Sequence, residues 1–224
     1  MFPQDPSDEL QAILEAAESV DLESLPEELV AELREFAEYW VDELEGGGEE
    51  HRARVLIARS WLEPEPIPEE LYSEYSGEPF AKCLVCDAAL TDDKIYQIQK
   101  SFRGTNVAFE MAICQGCGQS TSEEFSEESL EVMHAFLSTI VDAVAERSEA
   151  CGACGKAQTE LKNFSVVGLC KGESLLVPRM VVCMECEEDV QNRLSRETRE
   201  RQGDFVRDNF PGVPADLDLA PLQF

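Results

Sequence analysis

The chain has 224 residues, nine cysteines and a formal net charge of −29. That length admits one large domain or two to three small ones, and an apolar content of 43% supports a folded core rather than a disordered chain. So large an acid excess repels nucleic acid at long range. No stretch approaches the about 18 apolar residues of a membrane span. The opening MFPQDPSDEL has neither the basic nor the apolar part of a secretion signal. A soluble, cytoplasmic protein with no membrane contact is expected.

The charge is uneven. Residues 1–80 carry 4 Lys/Arg against 23 Asp/Glu, which is −19 of the −29. An acidic helical region over 1–62 is expected, with a basic protein as one partner it would suit. A short helix is predicted over 8–18. A second, over 25–45, starts at Ser24-Leu25-Pro26-Glu27, a capping box with proline in the first turn. Leu29, Leu33, Phe36, Trp40 and Leu44 then form one apolar stripe, and Gly46-Gly47-Gly48 ends it. A third helix is predicted over 49–62. Such stripes must bury one face, so Leu29, Leu33, Phe36 and Trp40 are expected to pack on the rest of the chain. Pro64, Pro66 and Pro68 make 63–79 an extended linker with a short helical turn at 69–75.

From residue 80 the cysteines set the pattern. Cys83/Cys86, Cys114/Cys117, Cys151/Cys154 and Cys183/Cys186 are four Cys-x-x-Cys pairs. The first and third are offset by 68 residues, the second and fourth by 69. One unit is therefore used twice. Residues 93–102 and 107–113 alternate about the turn residues Arg103-Gly104-Thr105-Asn106, which predicts a β-hairpin joining the first two pairs. Tyr96, Ile98 and Phe102 fall on one face; Gln97, Gln99 and Ser101 fall on the other. Asp87 and Gly118 follow their pairs and suggest left-handed knuckles at both. The first unit, 80–150, reads as a zinc ribbon followed by a helix over 126–147. That helix has an apolar face of Met133, Phe136, Leu137, Ile140, Val141 and Val144.

The second unit, 151–210, reads as a knuckle, strands at 161–169 and 174–182, and a long polar helix to about 208 that carries the last two ligands. That is the order of a treble-clef finger. Residues 211–224 read as an extended tail. The predicted fold class is α+β: N-terminal helices plus two tandem Cys₄ zinc-finger units.

Cys151-Gly152-Ala153-Cys154-Gly155-Lys156, with Glu160 beyond it and Val182-Cys183-Met184-Glu185-Cys186 closing the unit, resembles the treble-clef zinc-binding domain at the start of the Clp unfoldase ATPase. The resemblance implies the ligands and the finger type for one unit of the two. Here 28 residues separate Cys154 from Cys183, and the chain contains no Gly-x-x-x-x-Gly-Lys-Ser/Thr phosphate loop.

Thiolate pairs suit a soft or borderline metal, and two pairs complete a tetrahedral Cys₄ site. Two structural Zn²⁺ ions are expected, held by Cys83, Cys86, Cys114 and Cys117, and by Cys151, Cys154, Cys183 and Cys186. Local closure by each hairpin costs less entropy than interleaved pairing. A redox role for Cys151-Gly-Ala-Cys154 is disfavoured, because that chemistry needs a preceding strand and a βαβ context. A catalytic metal needs an open position, and His51 and His134 stand far from the pairs. No catalytic residue, no other cofactor and no enzyme activity are expected. Cys170 lacks a paired cysteine and ends an apolar run, so a core role is predicted.

Two functions remain. One is a zinc-stabilised protein-interaction or adaptor protein. The other is nucleic-acid binding through Lys94, Tyr96, Lys100, Phe102 and Arg103 of the hairpin and Arg193, Arg196, Arg199, Arg201 and Arg207 of the last helix. The acidic balance and the interleaved Glu197, Glu200, Asp204 and Asp208 favour the first.

Overall fold

The computed structural model describes residues 65–91, 94–144 and 147–210. The helices expected at 8–18, 25–45 and 49–62, their docking stripe, His51 and the tail 211–224 lie outside the described residues. What is described is mixed helix and antiparallel sheet, an α+β arrangement.

The strands are β1 (Glu65–Pro66), β2 (Ile95–Arg103), β3 (Asn106–Cys114), β4 (Asn163–Lys171), β5 (Ser174–Leu175) and β6 (Met180–Cys183). The helices are α1 (Gln115–Ser122), α2 (Glu127–Val144), α3 (Met184–Arg193) and α4 (Arg196–Asn209). The β2–β3 hairpin forms at the expected turn, where Gly104 takes a positive φ of 64°. In the second unit the return strand is split into β5 and β6. Pro178 stands in the gap; it has no amide hydrogen to continue a ladder.

The two hairpins do not stand apart. Their first strands, β2 and β4, pair antiparallel along their full length, from Ile95↔Lys171 to Arg103↔Asn163. The register places Gln99 opposite Val167, its own counterpart 68 residues on. An approximate two-fold axis therefore passes through that pair, as in an isologous dimer interface folded into one chain. β6 and β5 extend the far edge of β4, and β5 pairs β1. The result is one six-stranded sheet with β2 and β4 at its centre.

Both faces of that centre are buried. On one face lie Tyr96, Ile98, Val166 and Cys170, and against them pack Ile67 and Leu71. The Pro-rich stretch thus crosses the sheet: Glu65–Pro66 joins it as β1, the Ile67 amide donates to Glu173 O at 3.1 Å, and Glu69–Leu71 forms a short 3₁₀ turn. Lys100 is buried beneath this strap and donates to Tyr72 O at 2.5 Å. The face with Gln97, Gln99 and Ser101 is buried as well. Over it, Ile140 and Val144 of α2 meet Val167, and Phe109 packs against Phe210, just beyond α4, with the rings tilted and their centroids 4.7 Å apart.

The polar helix expected to run unbroken to about 208 is two helices. Leu194 and Ser195 take extended backbone, and Ser195 Oγ accepts from the Thr198 amide as the cap of α4. Ser126 caps α2 in the same way, accepting from the Ser129 amide, and the two caps touch: Ser126 Oγ donates to Ser195 Oγ at 3.0 Å. Meanwhile Leu194 is buried with Phe125, Met133 and Val190. Capping and burial of Leu194 together end α3 there.

A test follows from the strap. A chain begun at residue 81 lacks β1, Ile67 and Leu71. Burying two such side chains is worth about 1.5–3 kcal/mol each. The shorter chain is expected to bind a hydrophobic dye and to melt below a chain begun at residue 65. Equal melting of the two would show that the strap contributes nothing.

Candidate metal centres

Each centre is built from a knuckle and a helix start brought together by a hairpin. In the first unit the knuckle is Cys83–Cys86. The Cys83 amide donates to Ala88 O at 2.9 Å, and Asp87 takes a φ of 56°. In the second unit the Cys151 amide donates to Lys156 O at 2.8 Å, and Gly155 takes a φ of 76°. The knuckles are tied to their hairpins in matching ways: the Leu84 amide donates to Ala112 O and the Gly152 amide to Val181 O, both at 2.8 Å. The repeat read from cysteine spacing is thus repeated hydrogen bond for hydrogen bond.

The second pair of each unit opens a helix. Cys114 is the N-cap of α1 and Cys183 the N-cap of α3, with Cys117 and Cys186 in the first turns. This corrects the reading of the first unit. Gly118 lies inside α1 and is not a left-handed knuckle residue, so both units share one order: knuckle, hairpin, helix. Helix N-termini present unpaired amides and positive dipole ends to the sulfurs.

The eight sulfurs form two groups. Cys83, Cys86, Cys114 and Cys117 are one; Cys151, Cys154, Cys183 and Cys186 are the other. Within each, the ligand atoms all lie within 4.8 Å of one another. Cys86 Sγ and Cys114 Sγ are 3.8 Å apart; Cys154 Sγ and Cys183 Sγ are 3.7 Å apart. A tetrahedron with metal–sulfur bonds of about 2.3 Å has edges of about 3.8 Å, whereas a disulfide needs about 2.05 Å. The donor set therefore fits a tetrahedral ion in each cluster.

The electrostatics point the same way. The Cys114 amide donates to Cys83 Sγ at 3.4 Å and the Cys183 amide to Cys151 Sγ at 3.3 Å. Burial raises the Cys83 thiol, but amide hydrogens from Cys114, Cys86 and Val85 outweigh it and bring it down to about 7. Cys154 is lowered too: burial opposes, and the Lys156 amide and three neighbouring thiols prevail. Cys117 and Cys186 go up through burial and the sulfurs beside them. Four sulfurs this close cannot all hold negative charge by themselves; a divalent cation at the centre removes the conflict. Each cluster can thus hold one metal ion, two in all among the described residues.

Cys170 is fully buried, paired in register between Tyr96 and Leu175, and outside both clusters. Burial pushes its thiol up to about 12. Cys170→Ala is expected to keep both metal ions, and the native thiol to resist alkylation until the protein unfolds. A drop to one ion would mean that Cys170 is a ligand. His134 is exposed on α2 and belongs to neither cluster.

The residues proposed to touch nucleic acid divide. Tyr96 and Lys100 are buried, Tyr96 donating to Gly172 O at 2.6 Å, and Phe102 stacks on Phe164 with 4.9 Å between centroids. Arg196 pairs with Glu200, Arg201 with Glu124, and Arg207 with Asp204. Lys94, Arg103, Arg193 and Arg199 are exposed. Sequence reasoning missed Arg179, which ties the strap to the second knuckle through Glu70 at 3.2 Å, Glu149 at 2.6 Å and Gln158 at 3.0 Å. No sequence signal marks it, because its partners lie 21 to 109 residues away.

Among the described residues no helix is long and apolar enough to cross a membrane. No protein-family model, no curated protein and no solved structure matches the chain. The likeness of the second unit to the Clp finger therefore rests on the quoted residues alone.

Proposed function

We propose that this is a zinc-stabilised protein-interaction protein of the adaptor kind, with no catalytic activity of its own. The observation that carries the reading is the pair of closed Cys₄ clusters. Four thiolates complete a tetrahedron and leave no position for a substrate or a reacting water, so the ion serves structure. All-cysteine ligation favours zinc, and in both units the order of knuckle, hairpin and helix is that of a treble-clef finger. Ligation by thiolates kept reduced fits the cytoplasm.

Two side chains support a protein partner. Tyr75 is 97% exposed and Val85 41% exposed, the large apolar residues most open to solvent among those described. Tyr75 is not on a loose loop. Glu110 accepts from Ser73 Oγ at 2.9 Å and from the Glu74 amide at 2.8 Å, and the Gly77 amide closes the turn on Ser73 O. Val85 rides the first knuckle, which is bound to Ala112, two residues along β3 from Glu110. A rigid, exposed tyrosine is of the residue type enriched at interaction hot spots. Glu74 and Glu78 beside it, and the charge of −29, suit a basic partner surface. Nucleic acid is the second reading, and it loses Tyr96, Lys100 and Phe102 to internal packing.

The test has two arms. A pull-down from the native cell should recover a partner that Tyr75→Ala and Val85→Ser both lose. A gel-shift assay with DNA and RNA should show no binding at physiological salt. Salt-dependent retention of nucleic acid, unaffected by Tyr75→Ala, would sink the interaction reading in favour of the second.

A further inference from the structure

We infer that the two metal sites have different jobs: the first exchanges readily and governs whether α1 is folded, while the second holds the sheet and releases its ion more slowly. This rests on reading both clusters as zinc sites. It goes beyond that reading by assigning the two sites different stabilities.

The repeat allows a direct comparison, because each ligand has a counterpart in the same local geometry. The helices that carry the last two ligands differ most. In α3, Glu187 and Val190 are buried, and Leu194 at its end packs with Phe125 and Met133. That helix has its own attachment to the core. In α1 the one buried residue is Gly118, which has no side chain to anchor. Gln115, Gly116, Gln119 and Ser120 are exposed, Thr121 and Ser122 are half-buried, and the apolar side chains of α1 and its cap that pack against the core cluster are Cys114 and Cys117. The ligands are themselves the anchor. Eight residues with two glycines do not hold a helix in water unaided.

The knuckles differ in the same direction. Both need a left-handed residue after the pair. The second has Gly155 there, at no steric cost; the first has Asp87, whose Cβ makes that conformation strained. The helix-cap cysteines follow suit. Cys183 is 2% exposed, whereas Cys114 is half-buried, so a competing chelator reaches the first site more easily. The released segment would stay tethered between β3 and the buried Phe125, so that returning zinc rebuilds α1 without disturbing the sheet.

The experiment uses the full chain loaded with two zinc ions. EDTA is added with N-ethylmaleimide present, zinc release is followed with a colorimetric chelator, and labelled peptides are read by mass spectrometry. Two phases are expected. The first labels Cys83, Cys86, Cys114 and Cys117 and runs about tenfold or more ahead of the second, a gap of about 1.4 kcal/mol in barrier per tenfold. Hydrogen exchange in that phase should show amides 115–122 losing protection while 184–193 keep theirs. Asp87→Gly should slow the first phase, and Gly155→Asp should speed the second. Labelling of Cys151–Cys186 first, or of both clusters together, overturns the inference. A chain that binds no zinc at all overturns the metal reading itself, which is a different failure. If Gly155→Asp does not fold, Asp87→Gly alone decides: an unchanged first phase counts against the role given to knuckle strain and overturns that part.

Discussion

Removing both metal ions is expected to unfold the described fold. A structural zinc in a small finger is worth about 10–16 kcal/mol of apparent binding energy, while a domain's net stability is about 5–15 kcal/mol. The second cluster joins β6, α3 and the knuckle to β4, so its loss loosens that side of the sheet, and loss of both clusters loosens both sides. Prolonged treatment with a strong chelator should abolish the near-ultraviolet signal and cooperative melting, and added zinc should restore both. Cooperative melting that survives complete demetallation would show the clusters to be incidental to stability. Acid should act like the chelator. Each ligand must lose its proton to bind, so affinity falls as the pH falls, and zinc release should rise on the acid side of neutrality. Cys83→Ser and Cys183→Ser should each bind one ion, because the two sets of sulfurs are separate. A loss of both from either variant would mean that the sites are not independent.

Leu71→Ala is expected to cost about 2–5 kcal/mol, the usual range for emptying a fully buried leucine position. Leu71 is 0% exposed and lies over the centre of the sheet. Its fit depends on a glycine below it: a Cβ at Gly168 would stand 2.6 Å from Leu71 Cδ1 and 3.2 Å from Leu175 Cδ2. Gly168→Ala should therefore destabilise as well, by about 1–3 kcal/mol through overpacking. Together they should not add. The alanine methyl at 168 enters space that Leu71→Ala has vacated, so the double variant should be more stable than the sum of the singles predicts by about 1 kcal/mol or more. Denaturant titration of the four proteins measures this. Strict additivity would mean that strap and sheet do not meet at this point.

Much of the metal chemistry was legible in the chain because it is local. A Cys-x-x-Cys turn places two sulfurs together whatever the rest of the fold does, and the 68- and 69-residue offsets identified one unit used twice. Alternation in 93–113 predicted β2 and β3, and the stripe from Met133 to Val144 predicted α2; both form within a few residues of expectation. The sequence also separated Cys170 from the clusters, because it lacked a neighbour at the right spacing.

What the tertiary structure decided is non-local. Nothing in the period of β2 reveals that β4 will pair with it, or that Gln99 will face Val167, since that choice depends on which edges the knuckles leave open. Gln97, Gln99 and Ser101 read as a polar face, yet the face is buried, with Ile140 and Val144 of α2 meeting Val167 on it. Three prolines marked 63–79 as extended but could not show that Leu71 would close the core, since an extended strand has no preference for what it crosses. Ser195 looked like one more polar residue in a helix; only the touching caps of α2 and α4 made it a break. The sequence alone determined which atoms gather around each metal, because that rests on short spacings along the chain. The tertiary structure decided how the two units combine and how firmly each is held, because that rests on contacts between residues far apart in sequence.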